Sequence, residues 1–426
     1  MLLAKNIKAE QISEILNPFL TKILGKRPVV RAAGIAVYAN VISLISTQLK
    51  STIFESLAKN INKEPIIVRQ SFTASCPLII PYLDDNQIST LLSIISIMAE
   101  DDCFSVSCEI PNALAKYLEQ HSDIEQVLKI GDKLLNSKNW RVKCTYIDSV
   151  SDIFKGHSIE FGMIYPILKK VVFSLVEEED EVKTAAAQQM HFLSTLQNVE
   201  ANKIKILFKN FFSAHCPHIK TAAISQLPYY VGILDNDYII NQFKGLVKDS
   251  SEEVKIAAIE TLQSERIPTD IKLHCIEISS DSIQWREKDE IVRLLPQLSG
   301  VPDKKFDSSF MQLLFDDAFN VRKAALELLP NLISQRKESF KSMLMRRLWS
   351  SMDGDDYQLR QTAVLAVIKG NLFDKDGIEI LKQAAEDEIP NVRLTLAMNI
   401  PRDEKFADII AKLKKDSDED VANCFN

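Results

Sequence analysis

Val321-Arg322-Lys323-Ala324-Ala325-Leu326-Glu327-Leu328-Leu329 is the stretch that decides how this chain folds, because the chain repeats it. Val254-Lys255-Ile256-Ala257-Ala258-Ile259 and Val182-Lys183-Thr184-Ala185-Ala186 are further copies: a small aliphatic residue, a cation, then a patch of small residues. The pattern returns about every 36 residues, a period at which each unit is too short to bury its own apolar face and must stack on the next. Such a chain forms a solenoid, and its function resides in an extended surface rather than a pocket.

Following the cation after the aliphatic position gives Arg31, Arg69, Lys143, Lys183, Lys220, Lys255, Lys288, Arg322, Arg360 and Arg393, with a weaker copy at Val106-Ser107 and a truncated one at Val421. The units lie roughly 29 to 40 residues apart, enough for two antiparallel helices of about 12 to 15 residues with their turns. In the unit from Phe306 to Gln335, Phe310, Leu313 and Leu314 mark the apolar side of a first helix near Asp307 to Phe315, and Asp316-Asp317 close the turn. Val321, Ala325, Leu328 and Leu332 then fall on one stripe of a second helix, where the small Ala allows close approach. The cation lies just off that stripe, and this placement predicts a ladder in which it reaches a turn acid of the adjacent repeat. Asp249, Asp317, Asp355, Asp387 and Asp418 are the candidate acids. As partly exposed pairs they would contribute about 0 to 1 kcal/mol each and set register more than stability.

Composition agrees with a helical array. Eleven Gly, 26% charged and 46% hydrophobic residues carry helical spacing with little strand-like alternation, and no Pro/Gly/Ser-rich stretch divides the chain. The expected fold is therefore all-α, a right-handed α-α superhelix of about twelve helical hairpins running as one array over residues 1–426. A net charge of -7 argues against a broad nucleic-acid footprint or an anionic membrane surface, so the expected partners are proteins. The longest apolar segment, Ile88 to Ala99, is too short to span a bilayer, and MLLAKNIKAE lacks a signal-peptide core. Seven scattered cysteines suit a reducing compartment, cytosol or nucleus.

Chemistry-bearing patterns are sparse. No GxxxxGK[ST], HExxH, GxSxG or GxGxxG motif occurs. His215-Cys216-Pro217-His218 lacks a second ligand pair, Cys103 and Cys108 are isolated, and Asp353-Gly354-Asp355-Asp356 reads as a helix-capping turn rather than a calcium loop. Glu177-Glu178-Glu179-Asp180-Glu181 reads as a solvated acidic turn, and Trp349 falls within a first-helix pattern as a core residue. We expect no catalysis, no metal and no cofactor. The ends, opening with Leu2, Leu3, Ile7, Ile12, Ile15 and Leu16 and closing with Asn423-Cys424-Phe425-Asn426, read as incompletely capped.

The repeats resemble HEAT repeats, and one set of turns is more specific. Asn139-Trp140-Arg141-Val142-Lys143 and Gln284-Trp285-Arg286-Glu287-Lys288 place Trp-Arg at a turn, the second followed by Ile291-Val292-Arg293-Leu294-Leu295-Pro296-Gln297-Leu298-Ser299-Gly300. Phe319-Asn320-Val321-Arg322, Met352-Asp353-Gly354-Asp355-Asp356-Tyr357-Gln358-Leu359-Arg360, Pro390-Asn391-Val392-Arg393 and Asp416 to Val421 continue the match. This set resembles the scaffolding (A) subunits of protein phosphatase 2A, well over the C-terminal five repeats and by repeat phase elsewhere. The resemblance implies a horseshoe of hairpins whose turns hold a catalytic subunit at the C-terminal repeats, here residues 268–426, and a regulatory B-type subunit within 1–267. Counting back from the Trp-Arg turns, the chain lacks the family's first three repeats and stops within the final helix.

Trp and Arg at a turn are the residue types that most often anchor an interface. Trp285, Arg286, Phe319, Arg322, Tyr357 and Arg360 are the candidates for the catalytic subunit, and Trp140 and Arg141 for the regulatory one. The rival reading is a HEAT-type transport or trafficking adaptor that binds peptides or a small GTPase on its concave face, with an acidic inner face and no role for Trp285. A lyase-like enzyme would rest on residues 215 to 218 alone.

Overall fold

The computed structural model describes residues 27–173, 179–273, 285–298, 304–336 and 338–425. The expected end caps before residue 27, Glu177 and Glu178 of the acidic turn, and Gln284, Ser299 and Gly300 lie outside these residues. Packing divides the chain into two compact units, one ending at Gln226 and the other beginning at Leu227. Among the described residues each unit is a stack of helical hairpins, with no named strand.

The second helices of the hairpins form the continuous layer of each stack. In the first unit they are α1 (Pro28–Val41), α2 (Ile66–Ile79), α3 (Phe104–Ser107) and α4 (Ile110–Leu118), α5 (Trp140–Ile153), α6 (Asp180–Gln188) and α7 (Pro217–Ile224). In the second they are α8 (Glu252–Leu262), α9 (Trp285–Leu294), α10 (Phe319–Gln335), α11 (Tyr357–Lys369), α12 (Pro390–Asn399) and α13 (Glu419–Asn423). Within each unit every second helix packs on its successor. Small residues make this possible: Ala186, Ala223, Ala258, Ala325 and Ala363 are each the seventh residue of their helix and fully buried. In α5 that place is taken by the buried Tyr146, and the structure accommodates it from the first-helix side. A Cβ on Gly131 would lie 2.0 Å from the Tyr146 Oη, so only glycine fits beneath the ring.

The break between α3 and α4 has a local cause. Pro111 lacks the N–H that would have bonded the Ser107 carbonyl, so the helix stops at Ser107 and restarts. In α10 the buried stripe is Val321, Ala325, Leu329 and Leu332; Leu328, placed on the stripe by spacing, is only half-buried. Trp349, expected in the core, is half-buried on the helix Glu338–Met352, whose Leu344, Leu348 and Met352 face inward.

The cation is the fourth residue of every second helix other than α3, α4 and α13, and as Arg69, Arg360 or Arg393 it serves two turns at once. A helical Cβ tilts toward the N-terminus, so a long side chain at the fourth position reaches back over the turn before its own helix. In α11 the Arg360 Nη1 donates to the Gly354 carbonyl of that turn at 2.8 Å. Its Nε and Nη2 then donate to both carboxylate oxygens of Asp387, at 2.7 and 3.1 Å, in the turn before α12. Arg393 repeats this with the Asp387 carbonyl and Asp416, and Arg69 with the Glu64 carbonyl and Asp101. Lys288 meets Asp316, Lys255 meets Glu287 at 3.2 Å, and Arg31 meets Glu64.

The predicted ladder thus exists, with corrected acids. Asp387 is a rung; Asp316 and Asp416 take the places expected of Asp317 and Asp418. Each of these three sits three residues before its helix and accepts a 2.9 Å bond from the backbone N–H two residues on, which fixes the carboxylate toward the preceding repeat. Arg360 and Asp387 are moreover both buried, so the rung is not a surface pair. Removing one partner of a buried, bidentate pair costs about 3 to 5 kcal/mol, well above the value expected from exposed chemistry.

The rung between α10 and α11 is missing its acid. The residue three before α11 is Gly354, and Arg322 is left with two backbone carbonyls of its own turn, the Gln358 side chain and a buried Nε that has no hydrogen-bond partner. A Cβ at Gly354 would meet only backbone oxygens at 3.5 and 3.6 Å, ordinary contact. Gly354→Asp is therefore expected to raise stability by about 1 kcal/mol, whereas Asp387→Asn lowers it by about 3 kcal/mol. Urea denaturation followed by circular dichroism measures both.

Acid should dissolve the rungs. The hydrogen bond from Arg393 holds the Asp416 carboxyl below its ordinary value, so the folded state favours the charged form. That stabilisation is fully present above about pH 4 and is lost as pH falls through the lower folded value. The melting temperature of the native chain should drop on acidification below about pH 4, and that of Asp416→Asn should drop less.

Candidate functional site

In the second unit, three successive second helices open on an exposed aromatic ring. Trp285, Phe319 and Tyr357 are the first residues of α9, α10 and α11, and are 44%, 62% and 36% exposed. The first residue of a helix has no preceding turn to pack against, and its side chain leans past the helix end, so its ring stays in water unless something covers it. Because α9 packs on α10 and α10 on α11, the three rings stand on consecutive turns along one edge of this unit.

Arg286 lies exposed beside Trp285, its guanidinium 5.6 Å from the centroid of that ring and 3.6 Å from the Glu252 carboxylate at the head of α8. It is available to a partner. Arg322 and Arg360 are placed differently: they are 4% and 6% exposed and their guanidinium groups are held inside the ladder. Neither offers a fork to a docked protein. Their part is to hold the turns that carry Phe319 and Tyr357.

The first unit carries a related cluster. Trp140, half-buried, opens α5, and the exposed Arg141 lies 4.5 Å over its ring and 5.8 Å from that of Phe104, the exposed first residue of α3. Two aromatic faces thus fix one arginine across neighbouring turns. Sequence reading missed Phe104, although it stands two residues before the weak repeat copy at Val106, the same phase as Trp140 before Val142. A cleft of about 330 Å³ adjoins Phe104, between Asp101, Asp102 and Lys138.

Among the described residues no group of three or more His, Cys, Asp or Glu could hold a metal ion, and His215 and His218 are exposed. Asp356 caps α11, accepting from the Gln358 N–H at 2.8 Å, which gives the 353–356 turn a structural role. No described helix is long and apolar enough to cross a membrane.

No family model matches the sequence, and no curated protein matches it. Among solved structures, the chain is similar to the karyopherin Kap121p bound to the SUMO protease Ulp1p, at 13% identity and a TM-score of 0.51, over 96% of this chain and 51% of that one. It is similar to Kap121p bound to the extreme C-terminus of the protein phosphatase Cdc14p, at 12% identity and a TM-score of 0.51, over 92% of this chain and 50% of that one. The chain thus spans about half the length of these karyopherin chains. At such identity the likeness shows the fold alone. That fold is the helical solenoid of the HEAT kind.

Proposed function

We propose that this chain is a non-catalytic scaffold that grips a partner protein along the aromatic turn edge of its second unit. The partner we assign is a protein phosphatase 2A-type catalytic subunit. The observation that carries this reading is the row Trp285, Phe319 and Tyr357: three large rings at one helical position on consecutive repeats, each in water. Lone exposed apolar residues are ordinary on a surface, but a row of them in register is the signature of something that docks. The sequence of turns from Trp285-Arg286 through Tyr357 is what resembles the phosphatase scaffolds. Trp140 and Arg141, with Phe104, are assigned to a second protein, a regulatory subunit. Holding both raises the effective concentration of one near the other.

A second reading is a transport adaptor. Kap121p, whose fold this chain shares, is solved bound to a protease and to the tail of a phosphatase. An adaptor of that kind would take peptides or a small GTPase on the concave face and leave Trp285 without a part in binding.

Capture by an immobilised type 2A catalytic subunit separates the two. Native chain is expected to bind, and Trp285→Ala to lose at least about 2 kcal/mol, roughly thirty-fold in affinity, with circular dichroism unchanged because the ring is not part of the core. Equal capture of both proteins would remove Trp285 as the anchor. Capture of neither would favour the adaptor.

A further inference from the structure

Phe319 and Tyr357 stand among exposed carboxylates, of which Asp355 and Glu388 add only a coulombic pull on Arg360 to the fold. The turns before α10, α11 and α12, residues 315–319, 352–357 and 385–390, contain eight Asp or Glu and no Lys or Arg. Four of the eight are engaged within the stack: Asp316 and Asp387 on the ladder, Glu386 with Lys412, and Asp356 as a cap. The carboxylates of Asp317, Asp353, Asp355 and Glu388 are exposed and make no ion pair or side-chain hydrogen bond among the described residues. An acid near a helix N-terminus is stabilising in itself. That need is already met by the capping and ladder acids, and it gives no reason for Phe319 and Tyr357 to stay in water beside these exposed charges.

We propose that this edge recognises a cationic, extended segment of the partner protein, in which Lys or Arg recurs at every third residue. The inference rests on the reading that a partner docks along this edge, and not on the partner being a phosphatase. The rings carry the site and the charge selects the occupant. Arg and Lys lay an apolar stem or a guanidinium plane on an aromatic face while their charged ends reach a carboxylate, so Phe319 with Asp317, and Tyr357 with Asp355, each form half of one such pocket. Packed helices lie about 8 to 10 Å apart, and a polyproline II segment advances about 3.1 Å per residue with three residues per turn, so every third side chain faces the edge once per repeat. A segment with adjacent cations would crowd them onto one turn and leave the others unfilled.

The probes are two labelled peptides of equal composition, one of four Arg-Ala-Ser triplets and one with its four arginines contiguous, titrated with the full chain by fluorescence anisotropy at physiological salt. The spaced peptide is expected to bind about tenfold more tightly than the contiguous one, and the triple variant Asp317→Asn, Asp355→Asn, Glu388→Gln to lose about tenfold for the spaced peptide. Phe319→Ala should weaken the same peptide without changing the chain's melting temperature. A ratio between peptides below about threefold, or a triple variant within about twofold of native, reduces the effect to unspecific charge attraction and overturns the proposal. Phosphatase capture is read separately. Capture without peptide discrimination overturns this inference alone, and peptide discrimination without capture overturns only the identity of the partner.

Discussion

The cation at the fourth residue of most second helices is the constraint on which the rest depends. A cation there is within reach of the turn behind it and the turn beside it, because helical side chains lean toward the N-terminus. Arg360 bonds the carbonyl of its own turn and both oxygens of Asp387 in the next, and Arg393 and Arg69 do the same. Apolar stripes bind one helix to the next but allow sliding along them, whereas a directional fork permits only one register. Consecutive turns are thereby held in line.

That alignment turns a local feature into a surface. The first helical residue projects past the helix end, and where it is Trp285, Phe319 or Tyr357 an exposed ring appears once per repeat at the same height. Cations point into the stack and rings point away from it, three residues apart on the same helix. The division of labour explains why Arg322 and Arg360, though they flank the aromatic positions in sequence, do not share their exposure.

Much of this was legible in the sequence. The recurrence of Val-Arg/Lys followed by small residues fixes hairpins, their approximate phase and the existence of a ladder, because all three follow from helical periodicity and side-chain length. The particular acid was not legible: Asp316 and Asp317 are adjacent, and only the backbone bond to the Ala318 N–H selects the first. Burial of the rungs escaped notice because charge at a turn reads as solvated until the neighbouring repeat covers it. Phe104 was passed over since its helix lacks the cation, Ser107 standing there and donating instead to the Met98 carbonyl. The fit of Tyr146 over Gly131 joins two helices that sequence alone gives no means of aligning.

The most direct measurement is radical footprinting of the aromatic side chains, read by mass spectrometry with and without a bound type 2A catalytic subunit. The account predicts that Trp285, Phe319 and Tyr357 are protected together in the complex, while Trp349, on a first helix, reacts as before. Unchanged labelling of the three rings in a chain that is demonstrably bound would place the partner elsewhere and contradict it.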